Sequence, residues 1–288
     1  MLHHTDCLDF MRGMVERGER VDCIITDPPY LYLNHKLDRK FNEREFFELA
    51  SKITNKIAFF GRGDSFYRWN LLCADFGFEF KEEVIWDKKQ VSNPMGNIGR
   101  IHETISIRMK KGEKIRRVKS DYLDYAKNLG DLEKVFNDFK RVVGARNSKH
   151  LQNFIKTGEK VFAKRKTKHC ISYSDGVTDL DRAVKTITTI EEGIITHSII
   201  RQTREHRSME HPTQKPINLL RKLVLLISDK GDLVFDPFMG SGSTGVASLI
   251  EGRKFIGCEI DSEYFEIANR RVIETDKALR QSLFYGID

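Results

Sequence analysis

The chain has 288 residues, with 49 Lys+Arg against 42 Asp+Glu, a formal net charge of +7, and 40% hydrophobic and 32% charged residues. That balance excludes a disordered or fibrous chain, and no run of about 18 apolar residues exists to cross a membrane. The five cysteines (Cys7, Cys23, Cys73, Cys170, Cys258) form no C-x-x-C pair, and the nine histidines show no ligand spacing. The expectation is therefore a reduced cytoplasmic protein, with no leader, disulfide framework or metal.

In chain order, Val21–Thr26 is a short apolar run that stops at Asp27-Pro28-Pro29-Tyr30, where two prolines can continue neither strand nor helix. Residues 43–53 place Phe46, Phe47, Leu49, Ala50 and Ile53 on one helical face. Residues 56–60 read as a buried strand ended by Gly61 and Gly63, residues 66–76 as a helix, and residues 78–87 and 104–109 as strands. After the middle of the chain, Pro216 occupies an expected first helical turn and residues 217–227 follow as an apolar helix. A strand over 233–235 enters Asp236-Pro237-Phe238-Met239-Gly240-Ser241-Gly242-Ser243-Thr244-Gly245. A helix over 243–250, a strand over 254–260 and a helix over 262–280 close the chain. Strands alternating with helices predict an α/β fold with a doubly wound, mostly parallel sheet.

Residues from about 112 to 196 break this grammar. They are polar, lysine-rich and interleaved with Tyr122, Tyr125, Phe136, Phe139, Phe154, Phe162 and Tyr173. From Lys110 to Lys168, Lys/Arg outnumber Asp/Glu 18 to 7, so the chain outside this stretch is mildly acidic. We expect a mainly helical insertion (112–196) between two halves (1–111 and 197–288), its basic surface facing a polyanion. Lys164, Arg165, Lys166 and Lys168 are the candidate cluster for that role; a solvated helical face is the alternative.

Two motifs carry chemistry. Gly240, Gly242 and Gly245 match G-x-G-x-x-G between a strand and a helix, with Glu259 at the end of the next strand, placed to take a ribose diol. Dinucleotide and methyl-donor sites share this pattern. Asp27-Pro28-Pro29-Tyr30 is more specific. Its rigid backbone aims a carboxylate and a neighbouring carbonyl at one point with an aromatic ring beside them, which suits a planar amino group.

In combination these motifs resemble the beta class of S-adenosylmethionine-dependent DNA amino-methyltransferases, in which the catalytic tetrad precedes the target-recognition region and the methyl-donor loop comes last. His211-Pro212-Thr213-Gln214-Lys215-Pro216, Thr5-Asp6-Cys7-Leu8 and His102-Glu103 resemble further segments of that family. The resemblance covers about residues 1–111 and 197–275 and implies a permuted Rossmann-like methyltransferase fold. It implies that Asp27, Pro28, Pro29 and Tyr30 hold a flipped base. Asp236, Pro237, Phe238, Gly240, Gly242, Ser243 and Thr244 would shape the donor pocket. Glu259 would take the ribose hydroxyls, Asp6 the donor's adenine amino group and Lys215 its polar tail.

The implied reaction is transfer of a methyl group from S-adenosylmethionine to the exocyclic N6 of adenine in duplex DNA. Cytosine N4 is the alternative, since Ser more often replaces Asp27 there. A nicotinamide-dependent oxidoreductase explains the glycine loop but leaves the proline tetrad idle. Duplex DNA is the expected partner, associating the protein with the nucleoid; a homodimer and a cognate restriction endonuclease stay open.

Overall fold

The computed structural model describes residues 1–30, 39–91, 98–120, 132–144, 149–157, 179–203 and 214–285. The chain separates into two units, Met1–Val118 with His197–Asp288, and Lys119–Thr196. Lys164, Arg165, Lys166 and Lys168 lie outside the described residues, as do His211, Pro212 and Thr213.

The first unit contains an eight-stranded sheet. Its strands are β1 (Leu2–His4), β2 (Cys23–Thr26), β3 (Lys56–Gly61), β4 (Glu79–Asp87), β5 (His102–Met109), β8 (Ile199–Arg201), β9 (Leu233–Asp236) and β10 (Lys254–Glu259), in the order β1-β10-β9-β2-β3-β5-β4-β8. All neighbours are parallel except β5, which runs against both β3 and β4. All four residues of β2 are buried, as expected of a central strand covered on both faces.

Successive strand residues serve opposite faces. Ile24, Ile57, Phe59 and Phe235 join Met11, Met14, Phe46, Phe47, Ile53 and Trp69, which come from α1 (Cys7–Glu16), α2 (Glu43–Ile53) and α3 (Gly63–Asp75). Cys23, Ile25, Ala58, Phe60 and Val234 turn the other way. There they meet Leu219, Leu223 and Val224 with Ala247 and Ala268, from the helices Ile217–Ile227, Ser243–Ile250 and Ser262–Tyr285 (α7, α8 and α9). The result is three layers, helices on both sides of a sheet whose period-two alternation supplies two cores. Asn42 fastens the start of α2: its side chain accepts from the Glu45 N–H at 3.2 Å and donates to the Glu45 carboxylate at 3.0 Å.

The second unit pairs β6 (Lys119–Ser120) with β7 (Ile194–Ile195) in antiparallel fashion and holds α4 (Leu132–Gly144), α5 (Lys149–Thr157) and α6 (Asp179–Glu192). Both α4 and α5 pack against α6, and Leu151, Ala183 and Val184 form a small core with Ile187.

The expected boundary at residue 112 falls early. Ile115 and Val118 pack on the first unit's core, and the Arg116 N–H donates to the Leu226 carbonyl at 2.8 Å, so residues 112–118 stay with the sheet. Pro216 is the residue that caps α7 from outside, at φ −61° and ψ 134°, rather than one of its first turn. Residues 7–16 and 199–201 carried no expected element; they form α1 and β8.

Phe47 is fully buried between α2 and the sheet. Phe47→Ala should cost about 3–5 kcal/mol of stability through the burial forfeited and the cavity left behind, read as a lower urea midpoint with an unchanged slope.

Candidate active site

The topology brings the singled-out carboxylates to one edge. β1, β2, β9 and β10 are parallel, so their C-terminal ends deliver Asp6, Asp27, Asp236 and Glu259 to the same side of the sheet. Because β5 is reversed, it is its first residues that arrive there, opposite the last residues of β4: Trp86 pairs with Glu103, and the Lys88 N–H donates to the Ile101 carbonyl at 2.7 Å. Ligand sites of open α/β sheets form at this carboxyl edge.

The glycine-loop side is built from backbone amides and glycines. Gly240 and Gly242 have φ of +50° and +77°, which favour glycine. A side chain at Gly242 would meet the backbone of Ala268 in α9 at 3.0 Å, so this glycine also lets the last helix close on the loop. Glu259 Oε2 accepts from the Gly240 N–H, and Oε1 from the Ile260 and Asp261 N–H groups, all at 2.9 Å. Burial pushes the Glu259 carboxyl up against these three donors. With three bonds made of about four that a carboxylate can accept, capacity remains for a ribose hydroxyl.

Asp236 is 3% exposed, and its Oδ1 accepts from the Thr26 hydroxyl at 2.8 Å and the Phe238 N–H at 3.1 Å. It ties the glycine loop to the residue before Asp27. Burial pushes its carboxyl up to about 7, against hydrogen bonds from Thr244, Thr26 and the Phe238 amide. Ser243 and Thr244 are buried as well, and Arg271 holds the loop from α9 by donating to the Ser241 carbonyl at 2.6 Å and the Ser243 hydroxyl at 3.2 Å. The Ser243 and Thr244 hydroxyls are thus engaged within the protein, and the start of α8 can offer a ligand backbone N–H groups instead.

Asp6 accepts from the Leu8 N–H at 2.8 Å and caps α1, two residues beyond His4, the β1 residue paired with Glu259. Phe238 is half-buried against Phe41 and Phe46, with ring centroids 5.1 and 5.6 Å away. Pro237 is buried beside it.

Across the sheet lies the second part of the site. The Tyr30 hydroxyl donates to Asp27 Oδ1, and the Lys215 ammonium meets Asp27 Oδ2 at 2.6 Å. Lys215 also meets Glu103 Oε2 at 3.0 Å, and Lys88 meets Glu103 Oε1 at 3.2 Å. The Lys215 ammonium lies over the Phe60 ring, 4.8 Å from its centroid. Burial opposes charge on Lys215, but Asp27 and Glu103 outweigh it and hold the ammonium above its ordinary value. Burial likewise pushes the Asp27 carboxyl up, against the pull of Lys215.

Lys215, expected at a donor's polar tail, has its ammonium on Asp27 and Glu103. Lys88, Thr26 and Arg271 went unassigned in the sequence, where a lysine after a strand or an arginine late in a helix reads as a solvated charge. Among the described residues, no cluster of His, Cys, Asp and Glu could hold a metal.

Because the Asp236 carboxyl binds its proton more tightly when folded than the ordinary 3.8, the folded state carries the extra proton between the two values. Its contribution to stability is therefore present below about pH 4 and lost as pH rises toward 7, with a slope of at most about 1.4 kcal/mol per pH unit. Asp236→Asn should remove this component, read as a flatter series of urea midpoints between pH 4.5 and 7.5.

A family described as DNA methylase, of the N6/N4 methyltransferases, matches residues 21–270. Type II methyltransferase M2.DpnII of Streptococcus pneumoniae is 28% identical over 280 residues, covering 94% of this chain and 89% of that protein. DNA adenine methyltransferase YhdJ of Escherichia coli K12 is 53% identical over 62 residues, 22% of this chain and 21% of that protein. The crystal structure of the M1.HpyAVI–SAM complex shares the fold, with a TM-score of 0.55 at 21% identity, over 94% of this chain and 98% of that one. With a family match that spans both the proline tetrad and the donor loop, the chain belongs to the N6/N4 DNA methylases.

Proposed function

We propose that this DNA methylase transfers a methyl group from S-adenosylmethionine to the exocyclic N6 of adenine in duplex DNA. The observation that carries the reading is the Asp27 carboxylate, held at the end of β2 by Tyr30 and Lys215 and one hydrogen bond away, through Thr26, from the donor-loop residue Asp236.

The donor, when bound, supplies an electrophilic methyl group on a sulfonium. Glu259 fits its ribose diol, the backbone of Gly240–Thr244 its polar tail, the Phe238 ring one face of a heterocycle and Asp6 an amino group. The chain's own residues act on the other partner. An exocyclic amine is a weak nucleophile because its lone pair is delocalised into the ring. Asp27 and the Pro28 carbonyl accept its two N–H bonds, Pro29 keeps that backbone rigid and Tyr30 borders the heterocycle. Accepting both bonds draws the nitrogen toward tetrahedral geometry, localises the lone pair and sets it in line with the methyl. As the new N–C bond would replace the methyl–sulfur bond, whose electron pair stays with sulfur, the surplus proton leaves along a hydrogen bond that Asp27 already accepts. None of the four cysteines described, Cys7, Cys23, Cys73 and Cys258, is needed as a nucleophile; all are buried.

Adenine rather than cytosine is supported by Asp27, where cytosine-N4 enzymes more often carry Ser, and by the name of the YhdJ relative. The base must leave the duplex to reach the site, which costs a few kcal/mol offset by stacking and edge contacts. The basic stretch 112–196, with Lys164, Arg165, Lys166 and Lys168, is the part we assign to the phosphates, so the protein would sit with the DNA of the nucleoid. No described helix is long and apolar enough to cross a membrane. A homodimer and a cognate restriction endonuclease rest on the resemblance alone; light scattering checks the first.

Asp27→Ala should reduce methyl incorporation into duplex DNA by at least a thousandfold while S-adenosylmethionine binding, read by calorimetry, stays within about threefold. Nucleoside analysis of the methylated product then separates N6-methyladenine from N4-methylcytosine. Replacing Lys164, Arg165, Lys166 and Lys168 by Gln should lower the slope of log affinity against log salt by about 0.9 for each phosphate no longer neutralised. An unchanged slope removes the cluster from the DNA-binding surface.

A further inference from the structure

We infer that Glu103 and Lys88 are positioning residues for Asp27, acting through Lys215 to keep its carboxylate a strong hydrogen-bond acceptor. The inference rests on the reading of Asp27 as the acceptor of the base's amine.

Four charged side chains alternate in sign along one buried line. Asp27 meets Lys215 at 2.6 Å, Lys215 meets Glu103 at 3.0 Å and Glu103 meets Lys88 at 3.2 Å. The three inner side chains, Lys215, Glu103 and Lys88, are 8%, 10% and 5% exposed, while Asp27, at 24%, is the end that opens outward. Aromatic rings close round the line: the Lys215 ammonium faces Phe60, Tyr30 and Trp86, and the Lys88 ammonium faces Trp86. The Trp86 indole is itself pinned by donating to the Gln202 carbonyl at 2.7 Å. Strand geometry sets the spacing, since Glu103 is the second residue of the reversed strand β5 and Lys88 follows the last residue of its neighbour β4.

Stability alone does not call for this arrangement. A lone Lys215–Asp27 pair would already neutralise itself, and each further buried charge carries a desolvation cost that well-packed apolar groups avoid. What the extra pair changes is the share of the Lys215 charge that Asp27 holds. An ammonium facing one carboxylate pulls that carboxylate's electron density fully toward itself and weakens it as an acceptor for a third group. An ammonium shared between two carboxylates pulls less on each. Glu103 takes that second share, and Lys88 keeps Glu103 from turning toward water. The charged and titratable groups facing Asp27 are Lys215, Tyr30 and Glu103, with Asp236 beyond the Thr26 bond.

Glu103→Gln tests the idea in the full-length protein, with Asp27→Ala alongside. The expected result is a kcat about tenfold lower with S-adenosylmethionine affinity unchanged. The acid limb of the pH–rate profile should move to lower pH, because removing a nearby negative charge makes Asp27 easier to ionise. A residue that merely supports the fold would lower activity without moving that limb downward. Lys88→Met should repeat the loss of kcat, Lys88→Arg should restore most of it, and Lys88→Met combined with Glu103→Gln should be no worse than Glu103→Gln alone. If Glu103→Gln fails to fold, the Lys88 pair decides by rescue: a kcat lowered in Lys88→Met and restored in Lys88→Arg supports the inference, and a normal kcat in Lys88→Met overturns it. Normal kcat and an unmoved acid limb in folded Glu103→Gln, beside an inactive Asp27→Ala, overturn this inference and leave the proposed function intact. An active Asp27→Ala overturns the function itself.

Discussion

Asp6, Asp27, Glu103, Asp236 and Glu259 crowd the C-terminal edge of one sheet, and each must be matched by hydrogen-bond donors or cations to stay there at tolerable cost. Asp6 and Glu259 are met by backbone amides, Asp236 by the Thr26 hydroxyl and the Phe238 amide, and Glu103 by two lysines. Asp27 is met by Tyr30 and Lys215. The Lys215 ammonium is the joint of this arrangement, because it bridges a carboxylate at the end of β2 and another at the start of β5. Burying a lysine this deeply is tolerable because carboxylates meet it, and their attraction keeps it charged.

The edge divides into two kinds of chemistry. On the β1, β9 and β10 side, carboxylates bind backbone N–H groups, which stiffens the loops and leaves limited acceptor capacity for a ligand's hydroxyls. On the β2, β5 and β4 side, side-chain cations and a phenol meet carboxylates, which tunes how strongly one of them accepts a proton. The Thr26–Asp236 hydrogen bond joins the sides across 210 residues of sequence. It is local in space because β2 and β9 are neighbours, with Ile24 beside Phe235. Chain order is therefore immaterial to the site: the donor loop can follow the tetrad by some two hundred residues provided the strands carrying them pair.

The glycines act through the same packing. Gly242 permits both a left-handed turn and the close approach of α9, whose Arg271 then braces the loop it touches. A turn that binds a ligand through backbone amides has little side-chain chemistry of its own, so its shape has to be held from behind.

Much of this is legible in the string of residues. The helices 43–53, 217–227 and 243–250 match their expected bounds to the residue, because apolar spacing and, for the last two, a Pro or Gly boundary are local signals. The proline tetrad and the glycine loop are likewise visible, since short-range backbone stiffness and small-residue spacing do not depend on the fold. Long-range pairing is not visible. That β5 is antiparallel, and so presents Glu103 rather than Met109 to the site, follows from strand neighbours and not from its composition. Lys215 and Lys88 have the same origin. A lysine in a string is a soluble charge by default, and only a fold that places it between carboxylates and under aromatic rings makes it a buried cation. Elements, the two motifs and the family they resemble are thus matters of local order along the chain. Which charges meet is a matter of the folded arrangement, because electrostatic partnership is set by distance in space and by burial.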